Sequence, residues 1–169
     1  PHDPVGMAEL MGGREAFLGK LDRMFELPAA FEVGSYGREI HEMTEMAAVD
    51  FGQYAHSNQP VHHVLYLYTA MGMPSRTQYW VRRVLNELYG EGPTNGFAGD
   101  EDNGEMTAWY VFGALGFYPL CPGHPTYAIG APLFERATIT PPGGSTFVVE
   151  GVGNRAETPY ADRIALNGT

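Results

Sequence analysis

The chain changes its sequence grammar once, at Pro119. Upstream, apolar residues recur at helical spacing between Gly and Pro breaks. Downstream, Pro and Gly crowd the stretch from Cys121 to Pro132, and short β-branched runs follow. Side chains that repeat every 3.6 residues line one face of a helix, whereas those alternating by two line one face of a strand. The chain therefore reads as mainly α with a short C-terminal β ribbon. The boundary separates a helical segment over residues 1–120 from a loop and strand tail over residues 121–169.

Five helices are expected in the first part. Asp3-Pro4 starts one, and Met7, Leu10, Met11, Phe17, Leu18, Leu21, Met24 and Phe25 keep its period. Gly12-Gly13 should kink or break it, because each glycine costs about 1 kcal/mol against alanine. A second helix is expected from Glu39 to Tyr54, on a stripe of Ile40, Met43, Ala47 and Phe51. Val61 to Met71, almost wholly apolar or aromatic apart from His62 and His63, reads as a helix buried on most sides. Pro74-Ser75 opens a fourth, carrying Tyr79, Trp80, Val81, Val84, Leu85 and Leu88, and Met106 to Phe117 makes a fifth. Successive helices on short turns fit a helical toroid or solenoid better than a closed four-helix bundle. In the tail, strands are expected at Ala137–Thr140, Thr146–Glu150 and Arg163–Leu166. Pro141-Pro142-Gly143-Gly144 joins the first two, so Arg136 to Glu150 reads as a hairpin. A ribbon this small is marginal alone and is expected to pack on a sheet outside this chain.

Ten Lys and Arg against twenty Asp and Glu leave a net charge of −10. Such a field repels phosphate backbones and anionic lipid, which argues against nucleic acid, and it suits a hard cation that takes oxygen ligands. Cys121 is the single cysteine, so neither an internal disulfide nor a cysteine zinc site can form. No apolar run approaches the roughly 20 residues of a membrane span, and the N-terminus lacks a basic-then-apolar signal pattern. Pro1 is not a natural start, so the chain is read as a fragment with material upstream.

Three constellations can carry chemistry. Gly99-Asp100-Glu101-Asp102-Asn103-Gly104-Glu105 is the densest run of carboxylates and lies before a helix, whose first-turn amides favour negative charge. Paired acids in a cleft suit glycosidic hydrolysis, in which one carboxyl gives a proton and another activates water. The plainer reading is an acidic turn that caps the helix at Asn103 or Asp102. An EF-hand does not fit, because Gly104 comes one place early and Val111 stands where the closing glutamate belongs. In Ile40-His41-Glu42-Met43-Thr44-Glu45-Met46, a helix puts His41, Glu42 and Glu45 on one face, able to hold a cation or grip sugar hydroxyls. The same pattern is also that of a solvated surface, and without a second histidine at position 45 it is not a zinc protease motif. In His56-Ser57-Asn58-Gln59-Pro60-Val61-His62-His63, adjacent histidines point about 100° apart and cannot share one metal, which leaves one of them structural. Asn58 and Gln59 either cap a helix or contact a neutral polyol. Tyr66, Tyr68, Trp80, Trp109, Tyr110 and Phe112 read as core before they read as a sugar platform.

The stretch from Gly99 through Glu105-Met106-Thr107-Ala108-Trp109-Tyr110-Val111-Phe112-Gly113 to Pro119 closely resembles a long signature of the glycoside hydrolase family 92 α-mannosidases. Pro1-His2-Asp3 with Gly12 to Phe17, Ile40 to Met46, and Asn58 to His63 resemble the same family in the same order, so the similarity covers essentially the whole chain. The resemblance implies calcium-dependent, inverting, exo-acting hydrolysis of α-mannosides, with a β-sandwich preceding an (α/α)6 toroid and the cleft between them. The chain would then be the later part of the toroid, with strands returning toward the sandwich. Carried over, Asp102 matches the general base and Asp100 its assistant; Glu45 matches a Ca2+ ligand. His41 and Glu42 match the pair that contacts the leaving-group sugar in members acting on α-1,2 linkages. The general acid would be a glutamate upstream of Pro1, so the fragment alone should be inactive and needs the upstream polypeptide as its partner. Gln59 stands where many relatives carry glutamate, which leaves a phosphomannose-linked substrate open. Mannose-containing N-glycans or mannan would be the substrate, and the surface or periplasm of a bacterium, or its secreted fraction, the location. A carbohydrate-binding or structural helical protein is the alternative from another class.

Overall fold

The structure, a computed structural model, describes residues 2–169. It is mainly helical, with two small two-stranded sheets. Helix α1 (Pro4–Leu10) starts where Asp3 accepts the Gly6 N–H at 2.8 Å and proline takes the first helical position. It stops at Gly12-Gly13, both with positive φ, and α2 (Arg14–Glu26) restarts beyond, so the glycine pair breaks the helix as expected.

Helix α3 (His41–Ala47) is much shorter than the 39–54 stripe suggested. The cause is tertiary. A Cβ on Gly52 would sit 2.5 Å from the Met24 carbonyl, and the next amide, Gln53 N–H, donates to that carbonyl at 2.8 Å. The chain is thus pulled flat against the end of α2. The apolar stretch that follows is also not a long α-helix. Gln59–Tyr66 is 3-10 and only Leu67–Ala70, α4, is α-helical. Here side chains from elsewhere claim backbone carbonyls: Trp109 Nε1 donates to His62 O at 3.1 Å and the Thr77 hydroxyl to Leu65 O at 2.7 Å.

Helix α5 (Pro74–Glu87) runs close to its expected bounds. Val81, Val84 and Leu85 bury its apolar face against Leu65, Tyr66 and Trp109, and a second cluster joins Phe17, Leu18 and Leu21 of α2 to Leu67, Tyr68 and Met71. Helix α6 (Glu105–Leu115) ends sooner than the expected Phe117, because Gly116 turns left-handed against Pro132. Phe117–Tyr118 (β1) then pairs antiparallel with Ala128–Ile129 (β2). The expected hairpin forms from β3 (Arg136–Ile139) and β4 (Phe147–Glu150). Arg163–Leu166 is not a strand. Ile164 and Leu166 are exposed there, and Leu166 bonds only within the turn to Thr169. The buried Arg82 and Gln78 of α5 anchor the tail by donating to the carbonyls of Pro132 at 2.7 Å and Gly130 at 3.1 Å.

Candidate active site

The acidic loop 99–104 and helix α3 are far apart in sequence and meet in space. His41 is the junction. Its Nδ1 lies 3.2 Å from Glu45 Oε1, and its Nε2 lies 3.5 Å from Glu42 Oε1 and 3.9 Å from Asp100 Oδ2. The hydrogen bond to Glu45 raises the pKa of His41 above that of a free imidazole; partial desolvation opposes this, and the charges of Glu42, Glu45 and Asp100 add to it. An imidazole held among three carboxylates can act as a donor that orients hydroxyls. Gln59 supports the loop from beneath, donating from Nε2 to the Asp100 carbonyl at 2.9 Å. It is only 9% exposed.

The loop divides its acids between two tasks. Glu101 reaches forward and accepts the Gly104 N–H, the Thr107 N–H and the Thr107 hydroxyl. These donors, the Thr107 hydroxyl first, hold its carboxyl below the usual range. The cap of α6 is therefore Glu101, and neither Asn103 nor Asp102 provides it. Those two carry φ of 59° and 49°, the left-handed region that Asn and Asp tolerate better than most residues. With its hydrogen-bonding capacity committed to the helix, Glu101 leaves the neighbouring aspartates outside the cap. Asp102 lies exposed at the turn, and the Asp100 side chain is 75% exposed beside His41. Asn58 occupies the N-cap position of the 3-10 segment without a side-chain cap bond, so the capping role is not realised there.

Behind the loop lies a buried polar string. Tyr89 donates to Met106 O at 3.1 Å, so its oxygen accepts from His56 Nε2 at 2.9 Å, and His56 Nδ1 accepts from Tyr54 at 2.9 Å. This fixes the imidazole in its neutral Nε2–H form, in agreement with burial, which pushes its pKa well down. His62 is the structural one of the adjacent pair, its Nε2 donating to His56 O at 2.9 Å. Tyr66, Tyr68 and Trp109 are core, as expected. A hollow of ≈ 390 Å³ between the end of α5 and residues 90–97 contains none of the expected site residues. His41, Asp100 and Asp102 are exposed instead, with Gln59 buried beneath them.

The whole chain, residues 1–169, matches the glycosyl hydrolase family 92 catalytic domain. The chain belongs to that family. A solved family GH92 inverting mannosidase from Bacteroides thetaiotaomicron is 53% identical, with a TM-score of 0.74 over 94% of this chain and 21% of its own. An α-mannosidase of the same family and organism, solved in complex with mannoimidazole, is 34% identical with a TM-score of 0.67, covering 80% of this chain and 17% of its own. An uncharacterized secreted glycosidase of Arthroderma benhamiae is 27% identical over 99% of this chain and 19% of its own length. This family 92 chain thus spans about a fifth of the length of these relatives. No helix among its described residues is long and apolar enough to cross a membrane.

A hard cation can be tested against the donors present. Glu42 Oε2 and Glu45 Oε2 are both shut off from solvent without a hydrogen-bond partner. Buried carboxylate oxygens in that state need positive charge nearby. No three His, Cys, Asp or Glu side chains among the described residues converge into a complete ion site. Two such oxygens fall short of the six to eight that calcium takes, so a calcium ion here would need further ligands from outside the acid set. Sequence reasoning placed Glu101 in the acidic loop but missed its capping role. It also missed that Gly99 packs closely on Ser57 and Glu45, a contact that no sequence spacing marks.

Proposed function

We propose that this chain is part of the catalytic region of a calcium-dependent, inverting exo-α-mannosidase, acting on terminal α-mannosides of N-glycans or mannan with α-1,2 linkage preferred. The observation that carries the reading is the approach of Asp100 to His41, which joins the acidic loop to the His41–Glu45 turn. Asp102 serves as general base and Asp100 assists it. His41 and Glu42 contact the leaving-group sugar from α3, Asn58 lies toward the substrate, and Gln59 holds the loop beneath it. Glu45 holds calcium, which when bound would grip neighbouring hydroxyls of the mannose ring.

The residues of this chain then have distinct tasks. Asp102 removes a proton from water on the face of the sugar opposite the leaving group. An inverting pair needs about 6.5–9.5 Å between its carboxyls to leave room for that water, and the acid partner belongs to polypeptide upstream of Pro1. The open placement of Asp100 and Asp102 is what a cleft completed by another part of the polypeptide requires. The helices belong to an (α/α)6 toroid over residues 1–120, and the tail over 121–169 packs toward a β-sandwich. The enzyme is secreted or held at the bacterial surface or in the periplasm, in keeping with the secreted relative.

The complete polypeptide on α-1,2-mannobiose tests this. Turnover should vanish with a chelator and return with calcium, and proton NMR should show β-mannose first. Full turnover in chelator removes the calcium role, and α-mannose as first product removes the inverting mechanism.

A further inference from the structure

Asp100, Glu101 and Asp102 are consecutive, yet they are held in different ways. Asp100 Oδ2 lies 3.9 Å from His41 Nε2, Asp102 is exposed at the turn, and the Glu101 carboxyl between them is turned to the start of α6. It accepts the Thr107 N–H at 3.0 Å, the Thr107 hydroxyl at 2.5 Å and the Gly104 N–H. These bonds span the stretch that carries Asp102. Within it Asp102, Asn103 and Gly104 have φ of 49°, 59° and 96°, three left-handed residues in a row. L-residues enter that region singly and at a cost, so such a run persists only where its surroundings hold it.

The backbone bonds across the same turn, Glu105 N–H to the Asp102 carbonyl and Met106 N–H to the Glu101 carbonyl, are both long at 3.3 Å. Gln59 ties the loop on its other side, donating to the Asp100 carbonyl at 2.9 Å, and so fixes where Asp100 stands. The direction of Asp102 depends instead on the turn after it, which the Glu101 carboxyl closes. We propose that Glu101 is a positioning residue for hydrolysis, anchored by Thr107, and that the two together aim Asp102 at the reacting water. The inference rests on the reading of Asp102 as general base. Glu101 acts through the backbone of its neighbour and takes no proton from water itself.

The test compares Glu101→Ala, Thr107→Val and Thr107→Ser in the complete polypeptide, on α-1,2-mannobiose and on α-mannosyl fluoride. Glu101→Ala and Thr107→Val should lower kcat about ten- to hundredfold, the scale of a misplacement of about 1 Å, and leave KM within about twofold, because the groups proposed to hold the sugar lie outside this turn. Both losses should persist on the fluoride, whose leaving group needs no proton, which puts them on the base side of the reaction. The double variant should lose no more than Glu101→Ala alone, since both changes open the same turn. Thr107→Ser keeps the hydroxyl and should restore most of the rate, and this threonine pair decides the matter if Glu101→Ala does not fold. Wild-type kcat in Glu101→Ala and Thr107→Val, beside an Asp102→Asn enzyme that has lost turnover, overturns the positioning role and leaves the base reading standing. A lower melting temperature with kcat unchanged makes the pair a helix cap alone and overturns it too, as does a loss in Thr107→Val that Thr107→Ser does not relieve. Full turnover in Asp102→Asn overturns both readings together.

Discussion

Helix α3 and the segment from Tyr54 to Tyr66 both serve the same site, yet they are built in opposite ways. Helix α3 buries none of its residues. The other segment buries Tyr54, His56, Ser57, Gln59, His62, Leu65 and Tyr66, and ties itself to α6 through Tyr89 and Trp109. His41, Glu42 and Glu45 thus ride on an element without a buried residue, and a largely buried one holds the acidic loop in register with it. A seven-residue helix is too short to be stable by itself, so α3 depends on what covers it. Positioning and chemistry should therefore separate under mutation.

The largest separation is expected at Asp102. In the complete polypeptide, Asp102→Asn should lower turnover about 10²–10⁴-fold, the usual range for losing a general base, without moving the melting temperature. Asparagine tolerates the left-handed turn at this position, so the fold has no reason to respond. Retained turnover would remove the base assignment. The converse test is Trp109→Ala, at a residue 2% exposed in the junction. It should cost about 3–5 kcal/mol in urea unfolding, because a large cavity opens under α6. A loss below about 1 kcal/mol would mean that the junction does not hold the site.

A third expectation concerns pH. His56 stays neutral in the fold with its pKa well below that of an ordinary histidine, while the unfolded chain takes up a proton below about pH 6.5. The unfolded state then binds more protons, so stability falls as pH drops from about 6.5 toward the native value, by up to about 1.4 kcal/mol per pH unit for this group. His62 and His63, also shifted down mainly by burial, act in the same direction. His56→Gln should flatten the profile. The smallest effect belongs to Glu101, whose carboxyl is held below its usual range, so its capping contribution is present above the ordinary glutamate pKa and lost as pH falls through the native one. Glu101→Ala should speed amide exchange at Gly104 and Thr107 while leaving the core of α6 protected.

What the sequence disclosed follows the range of the forces involved. Local signals were legible: Asp3-Pro4 as a cap, Gly12-Gly13 as a break, Pro74 as a start, and Pro141 to Gly144 as a hairpin turn. Long-range ones were not. The stripe over 39–54 is genuine, but the Met24 carbonyl that stops the helix at Ala47 cannot be seen from the stripe. Strand β1 exists only because β2 returns beside it, and the β-branched look of Arg163–Leu166 came to nothing for want of such a partner. Among the candidate residues, His41, Glu42 and Glu45 share a face by helical spacing, and Asp100 joins them by tertiary contact alone. The cap on Glu101 escaped notice because its carboxyl reaches forward to Thr107 across a left-handed turn, outside the spacing of an ordinary capping box.

The edge of the Trp109 ring system lies against His56, with centroids 4.4 Å apart at 67°. A protonated imidazole quenches indole emission whereas a neutral one does so far less, and the chain has only one other tryptophan, Trp80, stacked on Phe25. The molecule accordingly carries a built-in optical gauge of its own junction. Fluorescence that dims on acidification, before any loss of helical circular dichroism, would register the proton arriving at that imidazole in the intact fold.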